Sequence, residues 1–205
     1  MNNATTEWEI GLAAWIIQDG NYDNFETGQT AEFALEFYSP NYKKSESHSK
    51  SCNRLGGAEY SIVGEVIYLR TDMWVLDFGL CAFQDSEPPE GIRVGDFIAA
   101  EISLGVDPYF YFETLYALPG IPPLIYSWKI NAIDQQTAPF IESREPSGQK
   151  VLIRDGKVLI RDEKKLGYKP ITKTDAWNDD GGHAEYVLTC APLPNPPKFK
   201  STTVR

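Results

Sequence analysis

The chain has 205 residues, of which 42% are apolar and 13% aromatic; this excludes a disordered segment and allows one decorated domain or two small ones. Fourteen prolines and sixteen glycines favour many turns over long helices, and no apolar run approaches the ~18 residues that cross a bilayer. The net charge of −10 disfavours nucleic acid and anionic membranes as partners and favours basic proteins.

The charge is unevenly spread. Residues 1–40 hold seven acids and no Lys or Arg, whereas residues 150–173 hold eight bases and three acids. Outside residues 150–173 the chain carries 11 bases against 26 acids. The three cysteines, Cys52, Cys81 and Cys190, are odd in number and far apart, so free thiols in a reducing, cytoplasmic setting are expected, with Cys81 and Cys190 buried in strands. Residues 1–9 are polar and acidic and lack the basic and apolar pattern of a secretion signal.

In chain order, residues 8–18 (WEIGLAAWIIQ) read as a first strand, closed by the Asp19-Gly20-Asn21 turn. Residues 30–38 read as one half-exposed strand: Phe33, Leu35 and Phe37 alternate with Glu32, Ala34 and Glu36, so the carboxylates share the outer face. Residues 39–57 are polar and are expected to be a long loop. Strands follow at 60–70 and 73–83, then a loop fixed by two prolines, then a strand over 96–104 entered by Val94-Gly95-Asp96. The aromatic run at 109–118 fits a strand or a short helix and ends at the Pro-Gly-Ile-Pro-Pro segment. A further strand is expected at 124–133.

Residues 150–162 contain KVLIRD twice around Gly156. Asp155-Gly156 is the preferred pair for a two-residue hairpin turn, which sets Arg154 opposite Lys157, Ile153 opposite Val158, Leu152 opposite Leu159 and Val151 opposite Ile160. Like charges then face one another. Strands at 168–174 and 185–190 follow, separated by an acidic turn, and residues 191–205 are expected to be extended or loose. A core over residues 1–140 with a hairpin-and-strand extension over 141–205, packed together, is the expected layout.

Sites for chemistry are sparse. His48 and Cys52 are two ligands without a second pair, short of a zinc site. The Asp175, Asp179 and His183 turn lacks the acid that a calcium loop needs at its first position, and acidic turns are commonly just solvated. No nucleophile elbow, phosphate loop or paired-histidine zinc motif occurs. No metal or cofactor is expected. The rings of Tyr109, Phe110, Tyr111 and Phe112 lack neighbouring cations with which to hold a nucleic acid.

The strand lengths and the Val94-Gly95-Asp96 entry resemble an oligonucleotide/oligosaccharide-binding (OB) style barrel over roughly residues 8–134. The resemblance implies a mainly β, OB-like antiparallel barrel with an added β-hairpin and C-terminal strand, and binding rather than catalysis. The acidic, cysteine-poor composition is similar to that of bacterial immunity proteins, which neutralise a toxin by covering its active surface. The expected function is therefore a non-catalytic protein-binding module whose partner is a basic protein such as a toxin. The expected contact residues are Asp19, Asp23, Glu32 and Glu36, together with the hairpin cations Lys150, Arg154, Lys157 and Arg161. Two alternatives stay open: oligonucleotide binding through those cations, and a hydrolase centred on Asp175, Asp179 and His183.

Overall fold

A computed structural model describes residues 7–142, 152–154 and 157–200. In chain order the strands and helices are β1 (Trp8–Ala13), α1 (Ala14–Gln18), β2 (Thr30–Phe33), β3 (Leu35–Tyr38), β4 (Tyr42–Lys44), β5 (Ser51–Gly56), β6 (Glu59–Leu69), β7 (Trp74–Asp77), β8 (Cys81–Gln84), β9 (Phe97–Val106), α2 (Phe110–Glu113), β10 (Tyr126–Gln136), β11 (Phe140–Glu142), β12 (Leu152–Arg154), β13 (Lys157–Arg161), β14 (Tyr168–Ile171) and β15 (Glu185–Pro192). The fold is mainly β. Strands β9, β3, β8, β7 and β6 follow one another round a ring, and the pairing of β6 with β9 closes it into a five-stranded barrel. Four of its junctions are antiparallel, and β3 meets β8 in parallel at Glu36 and Phe83. The sheet continues outside the ring through β1, β15, β10 and β14.

Alternation explains why β6 and β9 sit at the centre. Along β9, Ile98, Ala100, Ile102, Leu104 and Val106 are buried while the intervening residues are half-exposed or exposed. Along β6, every second residue from Tyr60 to Tyr68 is buried in the same way. Period 2 thus turns one face of each strand into the barrel. β7 and β8 behave differently because they are covered on both faces. Trp74, Leu76 and Ala82 point into the main core, whereas Val75 and Phe83 meet a second apolar cluster with Tyr68, Met73, Tyr111, Leu124 and Ile125. The aromatic segment after β9 supplies that cover: it is helical, and Tyr111 is fully buried.

Several expectations are corrected. The first strand stops at Ala13; the Ala14 N–H bonds to Ala184 O (2.9 Å) and the chain turns into α1, which buries Ile16 and Ile17. The single strand over 30–38 is two strands. β2 pairs with β10 and β3 with β9, and between them the Ala34 carbonyl accepts the Asp107 N–H (3.0 Å). The burial of Phe33, Leu35 and Phe37 nevertheless holds. The strand over 73–83 is broken by a tight turn in which Gly79, at φ +112°, donates its N–H to Asp77 Oδ1 (3.0 Å). The polar stretch 39–57 is no simple loop: it contains β4 and β5, whose residues are mostly exposed because the two strands lie on the outside of the sheet. The tail is pinned as far as Lys200: the Lys198 N–H and C=O pair with Ile125, and Lys200 Nζ donates to Phe112 O (3.0 Å) and lies 5.9 Å from the Tyr109 ring centre, so the aromatic run does have a neighbouring cation, one distant in sequence.

The hairpin register is as expected for Leu152–Leu159, Ile153–Val158 and Arg154–Lys157. Val151, Lys150 and the Asp155-Gly156 turn lie outside the described residues. β11 adds a third strand, and this sheet does not share a strand with the barrel sheet. The last strand, β15, lies between β1 and β10.

Trp128 on β10 is fully buried, stacks on Phe33 of β2 at 5.5 Å and donates its indole N–H to Phe33 O (3.3 Å). Trp128→Ala removes ring burial, stacking and a hydrogen bond together. It is expected to lower unfolding stability by about 3–5 kcal/mol, read as a fall in the denaturant midpoint with the m-value unchanged.

Candidate partner-binding surface

The acidic turn after β14 is built by side-chain hydrogen bonds. Asp175 Oδ2 accepts from Asn178 Nδ2 (2.8 Å), while Asp179 Oδ2 accepts both the Asp175 N–H (2.8 Å) and the Tyr186 hydroxyl (2.9 Å). Asp180 and Gly181 adopt left-handed backbone at φ +50° and +62°, a conformation that Asp tolerates better than most residues and Gly adopts freely. Gln18, at the end of α1, donates its side-chain amide to Ala176 O (2.6 Å) and Gly182 O (2.8 Å). Asn24 Oδ1 accepts the Ala176 N–H and the Thr174 hydroxyl, both at 3.1 Å. These links tie the end of α1 and residues 22–25 to the turn.

The consequence is a gathered surface. Asp19 and Asp23 are exposed beside a turn that carries Asp175, Asp179 and Asp180. Two tryptophans lie exposed on these elements: Trp177 in the turn is 66% exposed and Trp15 on α1 is 43% exposed. Asp19 and Asp23 make no ion pair among the described residues. Burial, with a smaller contribution from Asp179, pushes the Tyr186 phenol far above its usual range, so Tyr186 acts as a fixed hydrogen-bond donor that orients Asp179.

The other expected contact residues lie elsewhere. Glu32, on β2, accepts from Ser127 Oγ (3.1 Å) and pairs with Lys198 (2.6 Å). Glu36, on β3, is half-buried and lies over Gly105, whose missing side chain leaves room for it. The seven N-terminal acids are therefore not one flank: Glu9 pairs with Arg54, Glu26 with Lys173 at 3.9 Å and Glu32 with Lys198. Arg154, Lys157 and Arg161 are placed on the three-stranded sheet. Trp15 and Trp177 are not among the residues expected from the sequence, and Asp180 is expected only as part of a calcium turn. The available signal was Trp177 itself, a large ring among turn-forming residues.

The metal and acid–base readings can be set against the same geometry. Among the described residues no group of three or more His, Cys, Asp or Glu side chains is arranged to hold a metal. His48 packs edge-on against Phe97 at 5.2 Å, and Cys52 lies on β5, where burial raises its thiol to about 11. Asp175 and Asp179 are engaged as acceptors within their own turn.

A second perturbed group lies at the end of β9. Asp107 is fully buried, and its carboxylate accepts the N–H groups of Phe110 (2.8 Å) and Tyr111 (3.1 Å), capping α2. Burial raises this carboxyl to about 7, helped slightly by Asp85 and opposed by the backbone N–H groups of Tyr111, Phe110 and Tyr109. Tyr22 packs on Tyr109 and Phe112, and its buried hydroxyl has no hydrogen-bond partner among the described residues.

No protein-family model, curated protein or solved structure matches the chain.

The Asp107 shift sets a pH dependence. Its folded pKa lies above the ordinary carboxylate value, so the folded state holds the proton more tightly than the unfolded chain. Stability from this group is complete below about pH 4 and is lost as pH rises through about 7. Urea midpoints measured from pH 4 to 8 should show this loss in the native protein. Asp107→Asn, which cannot titrate, should lack that component of the slope; an unchanged slope would contradict the assignment.

Proposed function

We propose that this chain is a non-catalytic protein-binding module that docks a basic partner through the acidic surface carrying Trp15 and Trp177. The observation that carries the reading is Trp177, held two-thirds exposed on a turn that its neighbours' hydrogen bonds keep in shape. A soluble surface rarely spends such a ring on solvent, and tryptophans ringed by polar groups are the usual anchors of protein interfaces. The surrounding carboxylates supply complementary charge, which speeds encounter and fixes orientation. A positively charged protein, such as a nuclease toxin that must itself bind nucleic acid, fits this chemistry, and an immunity role is the specific form of the proposal.

Partners recovered from the native cells and identified by mass spectrometry should include a basic protein that binds the purified chain directly. In surface plasmon resonance, Asp19→Lys with Asp23→Lys should slow association about tenfold at low salt, with the difference shrinking as salt rises. Trp177→Ala should accelerate dissociation at least tenfold. Glu32→Lys, outside the surface, should leave both rates within about twofold. Equal rates in the native protein and the first two variants would overturn the proposal.

A further inference from the structure

On the opposite kind of surface, the outer face of the barrel, β4, β9, β6 and β5 lie side by side. Their register sets Lys43, Ala99, Val63 and Ser51 in one row across the four strands. In the next row Glu101 faces Ser61. The alternation that buries Ile98, Ala100 and Ile62 turns all six of these side chains outward. Because Ala99, Ser51 and Ser61 are small, the face is hollow, and a groove of about 410 Å³ lies over it. One wall is a bulge: between the pairs Tyr38–Ser103 and Tyr42–Ala100, the three residues that join β3 to β4 oppose two of β9. The Ser39 hydroxyl fixes that bulge by donating to Asn41 O (2.9 Å) and accepting the Asn41 N–H (3.3 Å). Bulges of this kind re-aim side chains and recur beside binding sites.

The charges in the groove are unusual. Lys43 and Glu101 are diagonal neighbours on adjacent strands, about 7–8 Å apart at the backbone, and are of opposite sign. They do not pair with each other, and neither makes an ion pair with any other described residue. By contrast Lys44, one residue on, pairs with Asp96 at 2.7 Å, and Lys50 pairs with Asp77 at 2.6 Å. The hydroxyls of Ser51 and Ser61 likewise make no side-chain hydrogen bond among the described residues. The groove thus presents one cation, one anion and two spare hydroxyls over a small apolar floor.

We infer that this groove is a binding site for a small zwitterion of the amino-acid or dipeptide class, with the ligand carboxylate at Lys43 and its ammonium group at Glu101. A dipeptide extends about 3.3–3.6 Å per residue, so its two charged ends span about 7 Å, the scale of the backbone spacing between diagonal positions on neighbouring strands. The volume lies within the range of small-ligand pockets. A polyanion is disfavoured because Glu101 lies in the groove and Glu59 borders it on the same outer face. The inference does not depend on the protein-docking surface, which lies on α1, the segment after it and the turn between β14 and β15.

The test is a titration of isotope-labelled protein with glycine, L-alanine and L-alanyl-L-alanine, followed by amide chemical shifts. Saturable shifts confined to residues 41–43, 51, 61–63 and 99–101, with millimolar affinity, are expected for at least the dipeptide. N-acetyl-L-alanyl-L-alanine and L-alanyl-L-alaninamide should each bind about fivefold more weakly, the scale of one exposed charge pair. Lys43→Met should abolish the discrimination against the amide, and Glu101→Gln the discrimination against the acetylated form. Both positions are exposed, so the variants keep the fold, and their unperturbed spectra verify that. No saturable shift with any of the three probes, or equal binding of the blocked and free dipeptides, would overturn the inference.

Discussion

Strand β9 is the constraint on which the rest of the molecule depends. It is hydrogen-bonded to β6 along one edge and to β3 and β4 along the other, and it also meets β1 through Gly11 and Gly105. The β6 pairing closes the barrel; the glycine crossing carries the sheet outward to β15 and β10. That crossing is close on the β1 side: a Cβ on Gly11 would sit 3.3 Å from the Leu104 carbonyl, whereas one on Gly105 would meet Glu36 at an ordinary contact distance of 3.5 Å. The last buried position of β9, Val106, is followed by Asp107, whose carboxylate starts α2 and so directs the segment that covers β7 and β8. Barrel, outer sheet and second core therefore all issue from one strand.

Two surfaces of different character result. At the α1 end, side-chain amides and carboxylates hold the backbone of α1 and of the turn together, which places their exposed residues on a defined frame. On the outer barrel face, small side chains leave a hollow whose charges make no ion pair among the described residues. The basic residues of the C-terminal half do not all sit in the hairpin, since Lys173 and Lys198 neutralise N-terminal acids. The charge asymmetry along the chain is thus partly cancelled by folding, and what remains exposed is narrower than the sequence totals imply.

The parts of the fold that were legible in the sequence are those governed by local rules. The alternation of β6 and β9, the glycine entry to β9 and the register of the hairpin follow from side-chain period and turn chemistry. The errors arose where tertiary pairing overrides local pattern. Residues 30–38 alternate throughout, yet the chain changes partner at Ala34, which no periodicity records. β4 and β5 read as loop because strands with an exposed face and polar side chains lack the apolar signal. In the candidate surface, Asp19 and Asp23 are expected from charge alone. Trp177 is not legible because turns read as connections, and the distant partners Gln18 and Asn24 that rigidify this one lie about 150 residues away in sequence.

Native-state amide hydrogen exchange tests the organising role of β9 most directly. Amides of residues 98–106 that pair with β3, β4 and β6 should be the slowest in the protein and should exchange only by global unfolding, with free energies equal to that from denaturant. If they exchanged through a smaller opening while the β1, β10 and β15 amides stayed protected, β9 would not be the strand that holds the molecule together.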